Sequence, residues 1–275
     1  MSFKTPPEIA KAGIQTGAKK AATPWDRALV AGFLAGAYIA FAGLLTIVVS
    51  AGMDPEIWGG MQTFASGAVF SLGLILVVIA GSELLTGNMA LVPLAAMGEK
   101  VGMRDLVRNL TWVLIGNLLG SLLVAYFFAV ESGVVAAGAP LERLDAIATT
   151  KGVTETEWQI FLRAVACNWL VCLAVWMALA AEDIAGKVLA IFFPIMGFVA
   201  MGFDHVVANM FFLPAAIFAD VPGIGWDEAL HNWAFAFLGN LVGAVVFVAT
   251  TYWYLYIRPE QEGAPGREPP GDAPP

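Results

Sequence analysis

The chain has 275 residues, 59% of them apolar and only 13% charged, with the apolar residues gathered in long runs. That composition belongs to a polytopic helical membrane protein and excludes a soluble domain. The net charge of −8 comes from loop and tail acids such as Asp54, Glu56, Glu142, Asp145, Glu155, Glu157, Asp227 and Glu228, and no basic stripe interleaved with aromatics points to nucleic acid.

In chain order, residues 1–27 carry Lys4, Lys11, Lys19 and Lys20 ahead of any apolar core. The segment reads as an amphipathic helix at the membrane surface rather than a cleavable signal. Apolar periodicity then predicts a pore domain over 28–257, with six spans at roughly 28–51, 61–98, 106–130, 158–181, 187–219 and 230–257. The second and fifth spans, about 38 and 33 residues long, exceed the ~20 residues a crossing helix needs. Each is therefore expected to be broken, near 81–89 and near 203–209. Irregular backbone at membrane depth has to be satisfied by protein or by a water-filled path, so these breaks mark a pathway. Residues 258–275, rich in Pro and Gly, cannot bury a core and are expected to be disordered.

The two breaks carry copies of one motif, Gly81-Ser82-Glu83-Leu84-Leu85-Thr86-Gly87-Asn88-Met89 and Gly202-Phe203-Asp204-His205-Val206-Val207-Ala208-Asn209-Met210. A second matched pair follows, Gly116-Asn117-Leu118-Leu119-Gly120 and Gly239-Asn240-Leu241-Val242-Gly243, and the offsets are 121 and 123 residues. The halves, about 28–130 and 158–257, are a repeat. Three spans in each half force the second copy to enter from the opposite side, so the expected fold is an all-α membrane protein with an inverted 3+3 repeat. Lys and Arg concentrate on one side of the short loops, with only Arg143, Lys151 and Arg163 on the other, which makes both termini cytoplasmic. Cys167 and Cys172 point about 140° apart on a helix and are not expected to pair.

The second piece of each broken span presents N-terminal N–H groups of positive partial charge, which attract a small anion. Glu83 and Asp204 are expected to cap these or neighbouring helix ends. His205, within an apolar span, is a functional candidate, able to offer a proton or a hydrogen bond, against the plainer alternative of a satisfied core histidine. Asn117 and Asn240 read as interhelical glue, the common use of Asn in membranes, as Asn88 and Asn209 also do. Asn168 is expected to face the histidine, and Phe70, Leu74, Val171 and Phe198 are candidates for a constriction. One intramembrane histidine cannot supply paired axial ligands to a haem. No catalytic residue, metal or cofactor is expected.

These motifs, with Asn168-Trp169-Leu170-Val171-Cys172 between them, resemble the formate/nitrite transporter family over about residues 5–258. The resemblance implies an aquaporin-like protomer in a homopentamer of the inner cell membrane, with a pore in each subunit. It also implies passive or proton-linked permeation of small weak-acid anions, formate or nitrite first, with bicarbonate, hydrosulfide or short-chain monocarboxylates as alternatives. A water or neutral-solute channel is a further alternative, although the breaks lack the Asn-Pro-Ala loops of water channels. By motif match, His205 is the central histidine, Thr86 the threonine of the first break, Asn168 the histidine's hydrogen-bonding partner and Lys151 the lysine of the outer vestibule. Leu84 joins Phe70, Leu74, Phe198 and Val171 at the constrictions. The chain departs from the family pattern in carrying Leu85 where an aromatic is common and Asp204 where glutamate is common.

Overall fold

The computed structural model describes residues 3–262, which are helical almost throughout. Helix α1 (Pro6–Ala22) opens on a capping box of Thr5 and Glu8 with prolines in its first turn, where a missing N–H costs nothing. It buries Ile9, Ala10, Gly13, Gly17 and Ala21 against α5, so its apolar stripe is taken up by protein. Helix α2 (Trp25–Ser50) follows, then the single turn α3 (Pro55–Trp58) and α4 (Gly60–Ala80). After a break come α5 (Leu85–Met97) and α6 (Met103–Leu123), the latter continuing as a π-helical stretch, Val124–Glu131. Helix α7 (Gly138–Thr149) passes through a π turn, Thr150–Thr154, to α8 (Glu157–Ala180), which starts on the capping box Thr156/Gln159. Helix α9 (Ile184–Ala200), capped by Asp183, leads through the second break to α10 (Val206–Phe218). Helix α11 (Trp226–Ala244) continues as a second π stretch, Val245–Thr250, into α12 (Thr251–Tyr256), and α13 (Arg258–Glu262) ends the described chain.

Five stretches among the described residues are long and apolar enough to cross a bilayer: Trp25–Ser50, Gly60–Ala80, Met103–Glu131, Glu157–Ala180 and Trp226–Tyr256. The chain is a multi-pass membrane protein. The stretch expected as a broken fifth span is divided into α9 and α10, of 17 and 13 residues, each by itself short of a full crossing. Both breaks are tighter than expected, about 81–84 and 201–205, because the second helix of each pair restarts at Leu85 and Val206. The expected disordered tail is helical at 258–262, where Arg258 bonds Glu262, and its remainder lies outside the described residues.

Each half packs in the same pattern. Helix α2 lies against α4 and α6, as α8 lies against α9 and α11. The glycines of the second motif explain the close approach: a Cβ on Gly120 would sit 2.0 Å from the Phe33 carbonyl oxygen, and one on Gly243 2.3 Å from that of Val165. Small residues spaced four apart let membrane helices meet backbone to backbone. Helix α5 is buried from Leu85 to Ala95 and α10 from Val206 to Ala216, so both broken-span helices sit at the centre. The two cysteines are buried and unpaired with one another.

Candidate functional site

Each break begins where a glycine turns left-handed, Gly81 at φ 81° and Gly202 at φ 71°, a conformation that side chains resist. Each helix restarts where a buried asparagine catches its first amide. The Asn117 Oδ1 accepts from Leu85 N at 2.9 Å, and its amide donates to the carbonyls of Gly32 and Glu83. Asn240 does the same, accepting from Val206 N at 2.9 Å and donating to Ala164 and Asp204. One side chain thus stitches break, restart and neighbouring helix.

The acid of each motif sits at the centre of a second matched network. At the α1 side, Lys20 Nζ donates to Glu83 Oε1 at 3.0 Å, and Asn88 donates to Glu83 Oε2 and to Asn109, which in turn donates to the Lys20 carbonyl. At the other side, Lys151 Nζ donates to Asp204 Oδ1 at 2.7 Å, and Asn209 donates to the same Oδ1 and to Asn232, which donates to the Lys151 carbonyl. The two clusters lie toward opposite ends of α8: Lys20, Glu83 and Asn88 line one cavity with Val175, Ala178 and Leu179 near its end, while Glu155 and Arg163 near its start join the Lys151 cluster. The expected capping role of Glu83 and Asp204 is not what forms. Both acids precede the N-cap position and turn sideways to a lysine, and Leu84, the N-cap of α5, supplies no side-chain cap.

His205 is the N-cap of α10. Its Nδ1 accepts from Ala208 N at 3.1 Å, and its Nε2 lies 2.8 Å from Thr86 Oγ1. An N–H cannot face an N–H, so Nδ1 is the acceptor and the ring carries its hydrogen on Nε2, donating to Thr86. That leaves the Thr86 hydroxyl hydrogen for another acceptor. Val206 N and Ala208 N, two of the first amides of α10, are occupied by protein side chains, so the helix end offers a bound anion less than expected. Asn168 does not bond the histidine. Its amide donates to the carbonyls of Thr86 and Asn240, so it braces Thr86, the histidine's partner, from behind.

Two cavities flank this contact. A terminal cavity of about 440 Å³ is lined by Lys19, Lys20, Lys187, Glu83, Leu74 and Leu84 among others. A distal cavity of about 370 Å³ is lined by Arg143, Lys151, Glu155, Arg163, Phe70, Phe198 and His205 among others. The constriction candidates therefore divide, Phe70 and Phe198 on the distal side and Leu74 and Leu84 on the terminal side, with Val171 also buried. The Phe70 and Phe198 rings meet edge to face at 5.9 Å, and Phe198 stacks on His205 at 6.0 Å. The three basic residues expected apart from the others, Arg143, Lys151 and Arg163, all line the distal cavity. Sequence reasoning missed Lys20, Asn109 and Asn232. The two asparagines stand 123 residues apart, the offset of Asn117 and Asn240, and that offset is the signal that finds them.

Two charged vestibules separated by an apolar waist with one polar contact define a membrane transporter or channel. Residues 7–254 match the model of the formate/nitrite transporter family. The chain is 47% identical to the uncharacterized transporter YrhG of Bacillus subtilis, over 93% of this chain and 95% of that one. It is 45% identical to a probable formate transporter of Methanothermobacter thermautotrophicus, over 94% and 98%. Among solved structures, an FNT family ion channel matches 90% of this chain and 98% of its own with a TM-score of 0.82 and 29% identity. A pentameric formate channel with formate bound matches 85% and 98%, with a TM-score of 0.74 and 32% identity. The chain belongs to the formate/nitrite transporter family.

Proposed function

We propose that the protein carries a small monovalent weak-acid anion, formate or nitrite first, across the inner cell membrane, passively or with a proton. The observation that carries this is the pair of matched lysine–acid networks on either side of the His205–Thr86 contact. Lysines in low-dielectric vestibules draw an anion to each mouth. The apolar residues Phe70, Leu74, Leu84, Phe198 and Val171 then oppose passage of full charge, and the Thr86 hydroxyl, polarised by His205, offers the anion a hydrogen bond or a proton there. Bicarbonate, hydrosulfide and short-chain monocarboxylates are substrates of the same chemistry. The chain acts as a transporter and not as an enzyme.

Within this proposal the chain forms six spans, two of them broken, in an inverted 3+3 repeat of aquaporin-like layout. It assembles as a homopentamer with both termini cytoplasmic, so Lys20 faces the cytoplasm and Lys151 the outside. The matched packing of the halves supports the repeat, and the pentameric formate channel supports the assembly. The test is uptake of formate, nitrite, bicarbonate and hydrosulfide into proteoliposomes by the native protein and by His205→Phe, with the complex mass measured. Saturable flux of one anion that the substitution abolishes is expected; flux of water or glycerol without any anion would overturn the proposal.

A further inference from the structure

Glu155 closes the π turn Thr150–Thr154 and is the one buried glutamate among the described residues. Its Oε1 accepts from Arg163 of α8, while its Oε2 is buried without a protein donor. Asp204 is in the same condition: Oδ1 takes both Lys151 and Asn209, and the buried Oδ2 takes neither. The two carboxyls are within hydrogen-bonding reach of each other. Two ionised carboxylates have only acceptors to offer, so this contact requires a proton.

We propose that Glu155 and Asp204 share one proton at the distal mouth, and that its gain or loss switches the mouth between attracting an anion and not doing so. This rests on the anion transport proposed above. With the proton in place, Lys151 and Arg163 face one carboxylate; without it they face two, and the excess positive charge of the cluster is gone. Arg143 of α7, across the cavity, and His205 at its floor complete the charged and titratable lining. Glu228 of α11 packs beside Gly152, and the exposed Glu157–His231 pair lies farther out. Burial raises the Glu155 carboxyl, against the opposing pull of Lys151, to about 7. The proton is therefore held in mildly acidic surroundings and lost in mildly alkaline ones. The terminal mouth has no such device, because Glu83 spends one oxygen on Lys20 and the other on Asn88.

The experiment has two arms. In proteoliposomes of one orientation with equal pH on both sides, the KM for formate at the distal mouth is measured from about pH 5.5 to about pH 8.5, for native protein and Glu155→Gln. The glutamine keeps a donor toward Asp204 but cannot ionise. Native KM is expected to rise roughly five-fold through the neutral range, and that of Glu155→Gln to stay low throughout. In the second arm, infrared difference spectra of native protein carrying ¹³C-labelled glutamate follow the carboxylic C=O band over the same range. A glutamate band present at acid pH and lost near neutrality is expected. Absence of that band overturns the shared proton, and it decides the matter even if Glu155→Gln does not assemble. A variant that keeps the native rise in KM overturns the switch. A native protein with the band but no anion flux sinks the transport function while leaving the proton in place.

Discussion

The two mouths are built from the same parts to different depths. At the terminal mouth the Lys20 and Glu83 side chains are 18% and 15% exposed; at the distal mouth Lys151 and Asp204 are 13% and 0% exposed. The terminal lysine also comes from a helix outside the spans, α1, whereas the distal one comes from the turn leading into α8. The second motif puts His205 where the first has Leu84, so α10 is capped by the side chain of its own N-cap residue and α5 is not. A repeat thus keeps its scaffold, the asparagine stitches, while its charged and polar positions diverge toward separate tasks.

The largest effects are expected where the halves are most alike. Asn240→Leu strands a helix N–H and removes the donors to two carbonyls, and should cost about 4 kcal/mol or prevent assembly. Asn117→Leu should cost the same within error in a thermal melt of detergent-purified protein; a large inequality would break the equivalence of the stitches. Next, Lys151→Ala leaves a fully buried carboxylate without its cation and should cost about 3 kcal/mol. Lys20→Ala, at a wetter pair, should cost about 1 kcal/mol, and equal losses in the same melt would show that burial is not what separates the mouths. The smallest effects belong to His205→Ala and to Gly81→Ala or Gly202→Ala. Each should lose about 1 kcal/mol, from a cap or from left-handed backbone. Only the histidine change should also abolish formate flux, since Leu84 stands at its place in the first motif.

Much of this architecture was legible in the residues. Gly81, Gly202, Asn117 and Asn240 are readable because a left-handed turn and a buried amide each demand a particular residue type at a fixed offset. The extents of the breaks were less legible: helix restarts at Leu85 and Val206 depend on amides being caught by asparagines more than 30 residues away, a tertiary contact no local pattern displays. Lys20 was hidden for a related reason. It stands 131 residues before Lys151, off the repeat's offset, so nothing but the packing of α1 distinguishes it from Lys19. Asn168 was expected to face His205 and bonds the Thr86 and Asn240 carbonyls instead, because the choice between neighbouring acceptors turns on a short distance that no sequence pattern displays. Glu83 and Asp204 look like caps in sequence, and only the structure shows lysines outbidding the helix ends.

The π-helical stretches at the ends of the third and last long helices have a consequence for how the chain is made. Val124–Glu131 packs on α10 and Val245–Thr250 packs on α5, so each central half-helix is held by the closing segment of the opposite repeat. Ribosomal synthesis delivers α5 about 150 residues before its clamp. The packing of α5, begun by α1 and α6, is therefore completed only when the last long helix has been made.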